Sequence, residues 1–252
     1  MSNLTSTYDQ AGDFYYHFVQ QGLAQPQSMF HLAVNAVLEL LGDIRGKSVC
    51  DVACGEGHLS RNLAQQGAIV TAVDLSENLL EHARQQSVGL PITFIRDDAQ
   101  TLMALAPNAF QAAVCNLALM DIPDHVQTFH AIHRVLQAQG RFVFSVLHPC
   151  FETPYCVPES HLELDAADNF VGVVVRRYTS EGHWNSGGTG MRGTFGAHHR
   201  MLSTYLNSLL DAGFRLERFV EPKLPPGNYA ELSQQINSKV PQVLVVSATK
   251  EI

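Results

Sequence analysis

The sequence predicts an α/β protein with a doubly wound, mostly parallel sheet. From Lys47 to Leu147, short apolar runs alternate with stretches of helical periodicity, which is the pattern of successive β-α-β units. The apolar runs are nearly continuous rather than alternating, as expected for strands that helices cover on both faces. Both observations favour a parallel sheet buried between two helical layers.

Seven runs have strand character, and five stretches have helical spacing. The predicted strands are 48–53, 69–73, 92–95, 110–117, 141–147, 214–221 and 243–246. The predicted helices are 27–42, 59–66, 77–86, 125–137 and 200–212. Glycine commonly ends a helix, so Gly42 predicts the end of the first of these helices and Gly213 the end of the last.

The alternation stops after His148. Residues 149–199 are rich in Pro, Gly, His and aromatic residues. A structureless loop of this length is uncommon inside a compact domain. We therefore expect an inserted cap between the fifth and sixth strands.

Composition excludes several classes of partner. The 252 residues carry a formal net charge of -8, and the longest basic cluster is Arg176-Arg177, so no nucleic-acid partner is expected. No apolar run approaches the roughly 20 residues of a membrane span, and the first ten residues lack a secretory signal pattern. The five cysteines are odd in number and form no C-x-x-C, which predicts reduced thiols in a cytoplasmic protein.

The most informative segment is the turn after the first predicted strand. Residues 49–58 read V-C-D-V-A-C-G-E-G-H, an apolar strand that enters a glycine-containing turn and then a helix, which lets a ligand approach the backbone. Seventeen residues beyond Gly57, the second strand ends in Asp74, where a carboxylate can accept hydrogen bonds from ribose hydroxyls. The alternative is an ordinary tight turn, with Asp74 capping the next helix.

A dinucleotide site is the nearest competitor. Its G-x-G-x-x-G pattern would need a third glycine where this chain has Ser60, and Glu56 lies between the two glycines that are present. An acid beside a pyrophosphate is repulsive. A cofactor with a ribose and an amino-acid group but no phosphate avoids this repulsion, and S-adenosylmethionine has these features.

These residues resemble the motifs of the class I S-adenosylmethionine-dependent methyltransferases. D-V-A-C-G-E-G (51–57) resembles motif I, with Ala53 where the family usually has glycine, and V-D-L-S (73–76) and R-D-D-A (96–99) resemble its ribose and adenine motifs. Residues 110–117 with D-I-P (121–123) resemble motif IV, and 133–142 resemble the helix and strand that end the core. The resemblance covers roughly residues 47–147 and is to the bacterial small-molecule type, similar to methyltransferases of ubiquinone and menaquinone biosynthesis.

The resemblance implies a Rossmann-like sheet of seven strands, the last antiparallel, and methyl transfer to an O, N or C atom of a small molecule. It also implies a division of the chain into four parts. These are an N-terminal helical lid (1–46), a cofactor-binding core (47–148), an inserted substrate cap (149–199) and the rest of the core (200–252).

The resemblance also implies a role for each motif residue. Gly55, Gly57 and Ala53 would form the turn along the methionyl part of the cofactor, and Asp51 would lie beneath it, near the ammonium group or fixing the loop. Asp74 would hold the ribose.

The remaining implied contacts are with the adenine and the sulfonium. Leu75 would pack on the adenine, while Asp98 and the Ala99 amide would hydrogen-bond to it. Asn116 and Leu117 would face the sulfonium end. Tyr8 and Tyr16 belong to a Y-D…Y segment that, in the resembled proteins, folds over the cofactor.

Candidate general bases are His148, His198 and His199, which lie where the family builds its substrate pocket. A base helps only if the acceptor carries a proton, and each of the three histidines could instead be a packing or surface residue. No metal site is expected, because neighbouring side chains such as His198 and His199 usually diverge and no H-x-x-x-H pair is present. Two alternatives to a methyltransferase remain: a protein that binds the cofactor or S-adenosylhomocysteine without transferring methyl groups, and an oxidoreductase with a nucleotide cofactor.

Overall fold

The computed structural model describes residues 7–25, 27–151, 162–188 and 190–251. Its helices are α1 (Thr7–Ala24), α2 (Met29–Leu41), α3 (His58–Gln65), α4 (Glu77–Gln86), α5 (His125–Val135), α6 (Met191–Thr194), α7 (Leu202–Asp211) and α8 (Leu232–Lys239). Its strands are β1 (Ser48–Val52), β2 (Ile69–Asp74), β3 (Ile92–Arg96), β4 (Phe110–Asn116), β5 (Leu136–Leu147), β6 (Leu162–Leu164), β7 (Phe170–Val173), β8 (Gly182–Trp184), β9 (Ala197–His199), β10 (Phe214–Val220) and β11 (Val243–Lys250).

Seven strands form one sheet in the order β10-β11-β5-β4-β1-β2-β3. All of its pairings are parallel except those of β11, which is antiparallel to both β5 and β10. The predicted doubly wound, Rossmann-like sheet is thus confirmed. The strand order reverses at β1, which pairs with both β2 and β4, so a crevice opens at the carboxyl ends of β1 and β4, where such folds bind ligands.

Helices cover both faces of the sheet, and this explains the continuous apolar strands. On β5, Phe142 and Phe144 enter one core cluster with Phe129 of α5. Val143 lies between them in sequence and enters the other cluster with Val37 of α2. Because successive residues of a strand point to opposite faces, both sides of β5 must be apolar.

The structure corrects several predicted boundaries: β5 begins at Leu136 instead of 141, and β11 extends to Lys250 instead of 246. It also adds detail to the inserted segment. The helix predicted over 125–137 ends at Val135, because Leu136 is fully buried and already pairs with Phe110 in the sheet. Between β5 and α7, the described residues form two antiparallel strand pairs, β6-β7 and β8-β9, and the short helix α6. Residues 152–161, with Tyr155 and Cys156, lie outside the described residues.

Two observations concern the compartment and membrane predictions. Cys50, Cys54, Cys115 and Cys150 are all free thiols. Within the described ranges, no helix combines the length and apolar character that a bilayer crossing requires.

Phe129 is fully buried, with its ring 6.0 Å from that of Phe142 and 5.6 Å from that of Phe144. We expect Phe129→Ala to lower the free energy of unfolding by about 3–5 kcal/mol, because it removes buried apolar area and leaves a cavity. Urea denaturation followed by circular dichroism measures this change. Val126→Ala on the exposed side of the same helix is the control and should change it by less than about 0.5 kcal/mol; equal effects would contradict the packing described.

Candidate cofactor and substrate site

The turn after β1 is fixed against the end of β2 by two hydrogen bonds. The Cys54 amide donates to the Val73 carbonyl at 2.9 Å, and the Gly55 amide donates to Asp74 Oδ2 at 2.7 Å. Ala53 has a φ of +55° and Gly55 a φ of +56°, the left-handed region that an alanine adopts at a cost of roughly 1–2 kcal/mol. Ala53 therefore adopts a backbone conformation that the usual glycine would take with less strain.

Asp74 joins three elements through one carboxylate. Its Oδ1 accepts from the Ser76 amide at 2.9 Å while Oδ2 accepts from Gly55, and Ser76 caps α4 by accepting from the Leu79 amide. Burial raises the pKa of Asp74, which these backbone hydrogen bonds partly oppose. A carboxylate has about four acceptor positions, so two amide donors leave room for further hydrogen bonds.

Asp51 lies beneath the turn, with 1% of its surface exposed. Its Oδ2 accepts from Ser60 Oγ at 2.6 Å, so the residue that replaces the third glycine of a dinucleotide motif holds this carboxylate. Burial raises the pKa of Asp51 to about 7, although the hydrogen bond from Ser60 opposes the rise. An incoming ammonium group would favour the ionised form.

A cleft of about 670 Å³ opens at the carboxyl ends of β1, β2 and β3, and we call it the cofactor cavity. Eight of the predicted cofactor residues line it: Tyr8, Ala53, Gly55, Asp74, Leu75, Asp98, Ala99 and Leu117. Within it, the Asp98 carboxylate accepts from the Gln100 amide and side chain at 2.9–3.1 Å. Three carboxylates, those of Asp74, Asp98 and Asp121, thus line the cofactor cavity.

A second cavity of about 490 Å³ adjoins the first and contains Asp51 and Asn116. It shares Tyr15, Ala53 and Leu117 with the cofactor cavity. Asn116 Oδ1 accepts from Ser145 Oγ at 2.7 Å, and this hydroxyl accepts from the Leu117 amide at 2.9 Å. These bonds fix the end of β4 against β5.

Two predicted cofactor residues lie outside these cavities. A Cβ on Gly57 would meet Ala83, Arg61 and Phe94 at 3.1–3.3 Å, so this glycine allows close packing of the turn. Tyr16 stacks on His82 of α4, with ring centroids 4.5 Å apart.

The neighbouring Tyr15 lines both cavities, and the sequence analysis did not select it. Tyr15 lies seven residues after Tyr8, a spacing that would place both on one face of a regular helix, although α1 is kinked at Ala11. This spacing was the one feature of the sequence that could have predicted Tyr15 as a site residue.

An aromatic contact joins α1 to the inserted segment at the cofactor cavity. The ring of Tyr8 stacks on that of Phe195 at 4.1 Å, and Tyr15 meets Tyr8 edge-on at 5.1 Å. Asp9 Oδ1 accepts from Ser76 Oγ at 2.9 Å. The N-terminal helix is therefore held both to the cap and to the start of α4.

A third cavity of about 650 Å³ meets the cofactor cavity at Tyr15, Leu117 and Asp121; we call it the apolar cavity. Its other lining residues are Phe18, Met29, Phe30, Met120, Leu147, Met191 and Arg192. Asp121 Oδ1 accepts from Arg192 NH1 at 2.5 Å, and burial raises the pKa of Asp121. The sequence analysis noted Asp121 within motif IV but gave it no role.

Arg200 holds the loop that carries Asp121. Its guanidinium is buried and donates to three carbonyls of that loop, those of Leu119, Ile122 and Pro123, at 2.7–2.8 Å. A rigid, multiply donating guanidinium suits this task. The residue directly after the inserted segment thus fixes one wall of both cavities.

The three candidate bases have different surroundings. His148 Nδ1 accepts from the Cys150 amide at 3.2 Å, and Nε2 contacts Glu221 Oε1 at 2.8 Å, so both ring nitrogens are engaged away from the cofactor cavity. His199 Nε2 donates to the Tyr178 carbonyl at 2.7 Å. Burial lowers the pKa of His198 to about 4, assisted by Arg200; the ring is therefore neutral at pH 7.

His198 and His199 line a smaller cavity of about 390 Å³, which shares Met120, Leu147 and Arg192 with the apolar cavity. His148 lines none of the cavities described above. Across the part of the chain that the structure describes, no three His, Cys, Asp or Glu side chains form a group that could hold a metal ion.

The strand order, the turn after β1 and the carboxylates beyond β2 and β3 define a Rossmann-like protein with a site suited to a nucleoside. Residues 50–144 match the family model described as a methyltransferase domain. Together with the solved structures described next, this match supports a class I S-adenosylmethionine-dependent methyltransferase.

Individual relatives support this assignment over different lengths. An S-adenosylmethionine-dependent methyltransferase of known structure from Mesorhizobium loti is 29% identical in sequence to this chain. The two structures superpose with a TM-score of 0.73 over 89% of this chain and 99% of that chain. A putative one from Listeria monocytogenes is 27% identical, with the same TM-score over 88% and 99%. A ubiquinone biosynthesis O-methyltransferase from Photorhabdus laumondii is 32% identical over 46% of this chain, and the match spans only 50% of that relative.

The raised pKa of Asp51 predicts a pH-dependent penalty on folding. An unfolded aspartate ionises near pH 4, whereas folded Asp51 keeps its proton up to about pH 7. The free energy of unfolding of the wild type, relative to Asp51→Asn, should therefore fall as the pH rises from 4 to 7, by at most about 4 kcal/mol, and level off above 7. Denaturation at a series of pH values measures this difference.

Asp43→Asn is the matched control, because Asp43 is exposed and its hydrogen bonds to Arg45 lower its pKa. The free energy of unfolding of the wild type, relative to Asp43→Asn, should not fall over this range. A wild-type curve parallel to that of Asp51→Asn from pH 4 to 7 would contradict the burial of an ionisable group at this position.

Proposed function

We propose that this protein transfers a methyl group from S-adenosylmethionine to an O, N or C atom of a small molecule. The observation that carries the proposal is that three cavities meet at Leu117 and Tyr15. They are the cofactor cavity, the second cavity that contains Asp51, and the apolar cavity. A transferase for two ligands needs adjoining spaces of this kind, one lined by several carboxylates and one mostly apolar.

The polar groups of the cofactor cavity fit the proposed cofactor. An adenine amino group, two ribose hydroxyls and an ammonium group are all donors. The site offers acceptors in Asp98 and Asp74 of the cofactor cavity and in Asp51 of the adjoining cavity. Leu75 and Ile122 supply apolar surface where a base could pack.

When bound, the cofactor supplies an electrophilic methyl group. The chain's own contribution is to hold both ligands in line and to exclude water, which can account for a large part of such a rate acceleration. Tyr8 and Tyr15 cover the cofactor cavity from α1. Leu117 lines all three cavities, where the reacting groups would meet.

The apolar cavity favours a transferase over a protein that only binds the cofactor, because cofactor binding alone does not require it. An oxidoreductase is disfavoured by Glu56, which is buried in the turn and paired with Arg61 at 2.7 Å, where a pyrophosphate would need donors. A small-molecule acceptor is favoured over nucleic acid because the apolar cavity is lined mostly by hydrophobic and aromatic side chains and the chain is acidic.

Calorimetric titration with S-adenosylhomocysteine, S-adenosylmethionine and NAD tests the proposal. We expect micromolar binding of both sulfur nucleosides and none of NAD. Asp74→Ala should weaken that binding by roughly 10- to 100-fold, because each hydrogen bond to a charged group contributes about 1.5–3 kcal/mol.

Asp43→Ala removes a carboxylate from an exposed ion pair and should leave the affinity unchanged. Melting curves of both variants separate loss of binding from loss of fold. Binding of NAD alone, or unchanged affinity in a folded Asp74→Ala protein, would overturn the proposal.

A further inference from the structure

The apolar cavity has one polar corner. Phe18, Phe30 and Leu147 are typical of its wall, and the only ionisable side chains in its lining, within the described residues, are those of Tyr15, Asp121 and Arg192. The last two form an ion pair whose side chains are 17% and 19% exposed. A ligand in this cavity therefore meets hydrocarbon and aromatic surface everywhere except at this corner.

The ion pair of Asp121 and Arg192 carries no net charge, and this limits which ligands the cavity can bind. The charge of Arg192 is balanced by Asp121, so an anionic ligand would face the carboxylate and a cationic ligand the guanidinium. Transfer of a charge into apolar surroundings without a partner of its own is costly. Neutral ligands avoid this cost, so the cavity favours them.

Asp121 is suited to accept a hydrogen bond from such a ligand. It lines both the cofactor cavity and the apolar cavity, so a donor bound to it lies at their boundary. The protein already places one phenol there: the Tyr8 hydroxyl interacts with the Asp121 carboxylate from the cofactor side. A carboxylate can accept about four hydrogen bonds, so it can accept another from the apolar side.

We propose that the acceptor is a neutral, largely apolar molecule with a hydroxyl group, and that this hydroxyl donates a hydrogen bond to Asp121 at the boundary of the two cavities. The proposal rests on the proposed function and specifies its acceptor. Asp121 is then the residue that selects a hydroxyl, and Arg192 is the residue that holds this carboxylate in place.

Three naphthalene probes test the proposal by fluorescence titration of protein saturated with S-adenosylhomocysteine, so that no transfer occurs. These are 2-naphthol, which donates a hydrogen bond, 2-methoxynaphthalene, which does not, and 2-naphthoate, which is anionic. We expect 2-naphthol to bind about tenfold more tightly than either of the others, the difference that one charge-assisted hydrogen bond provides.

Asp121→Asn should reverse the order of preference. It removes the negative charge and leaves that of Arg192 unbalanced, so 2-naphthol should bind about tenfold more weakly and 2-naphthoate more tightly than in the wild type. A purely structural role of Asp121 would weaken all probes together. Asp43→Asn, in the exposed pair with Arg45, should change neither affinity.

Met191→Trp tests the location without altering the ion pair, because a larger side chain at this half-buried position would occupy the apolar cavity. We expect it to abolish 2-naphthol binding and to leave S-adenosylhomocysteine binding unchanged. Wild-type protein that binds S-adenosylhomocysteine but prefers 2-naphthoate, or binds none of the probes, would overturn this inference alone. Failure to bind S-adenosylhomocysteine would overturn the proposed function.

Discussion

The carboxylate of Asp74 is the interaction on which the candidate site most depends. It accepts from the amides of Gly55 and Ser76, so it fixes the turn after β1 to the start of α4. The parallel register of β1 and β2, with Val52 beside Val73, brings the two segments together. The cofactor cavity takes its shape from this contact, and the same carboxylate is available to a bound ribose.

A second constraint is the way distant segments build one wall of the site. Arg200 follows β9, yet it fixes the loop of residues 119–123 by three hydrogen bonds. Arg192, in α6, pairs with Asp121 of that loop, and Phe195 stacks on Tyr8 of α1. The inserted segment therefore belongs to the site physically, because it supplies contacts to both the cofactor cavity and the apolar cavity.

Local signals predicted the sheet well, whereas pairings between distant segments could not be predicted. Apolar runs and the glycine turn identified β1 to β5 and the position of Asp74, and the resemblance to methyltransferase motifs added Asp98. The choice between Tyr15 and Tyr16 depended on which face of α1 is buried, and the pairing of Asp121 with Arg192 joins residues 71 positions apart. For His148, the acceptor of its Nε2 contact lies 73 positions away, which no local pattern reveals.

The central claim is that the crevice at β1, where the strand order reverses, is the cofactor site and that α1 covers it. Hydrogen–deuterium exchange with and without S-adenosylhomocysteine tests this claim most directly. The account predicts slower exchange at residues 53–57, 74–76 and 98–100 and along α1, with the hairpin of β6 and β7 unchanged. Unchanged exchange in those segments when the ligand is bound, or protection confined to the region of His198 and His199, would contradict it.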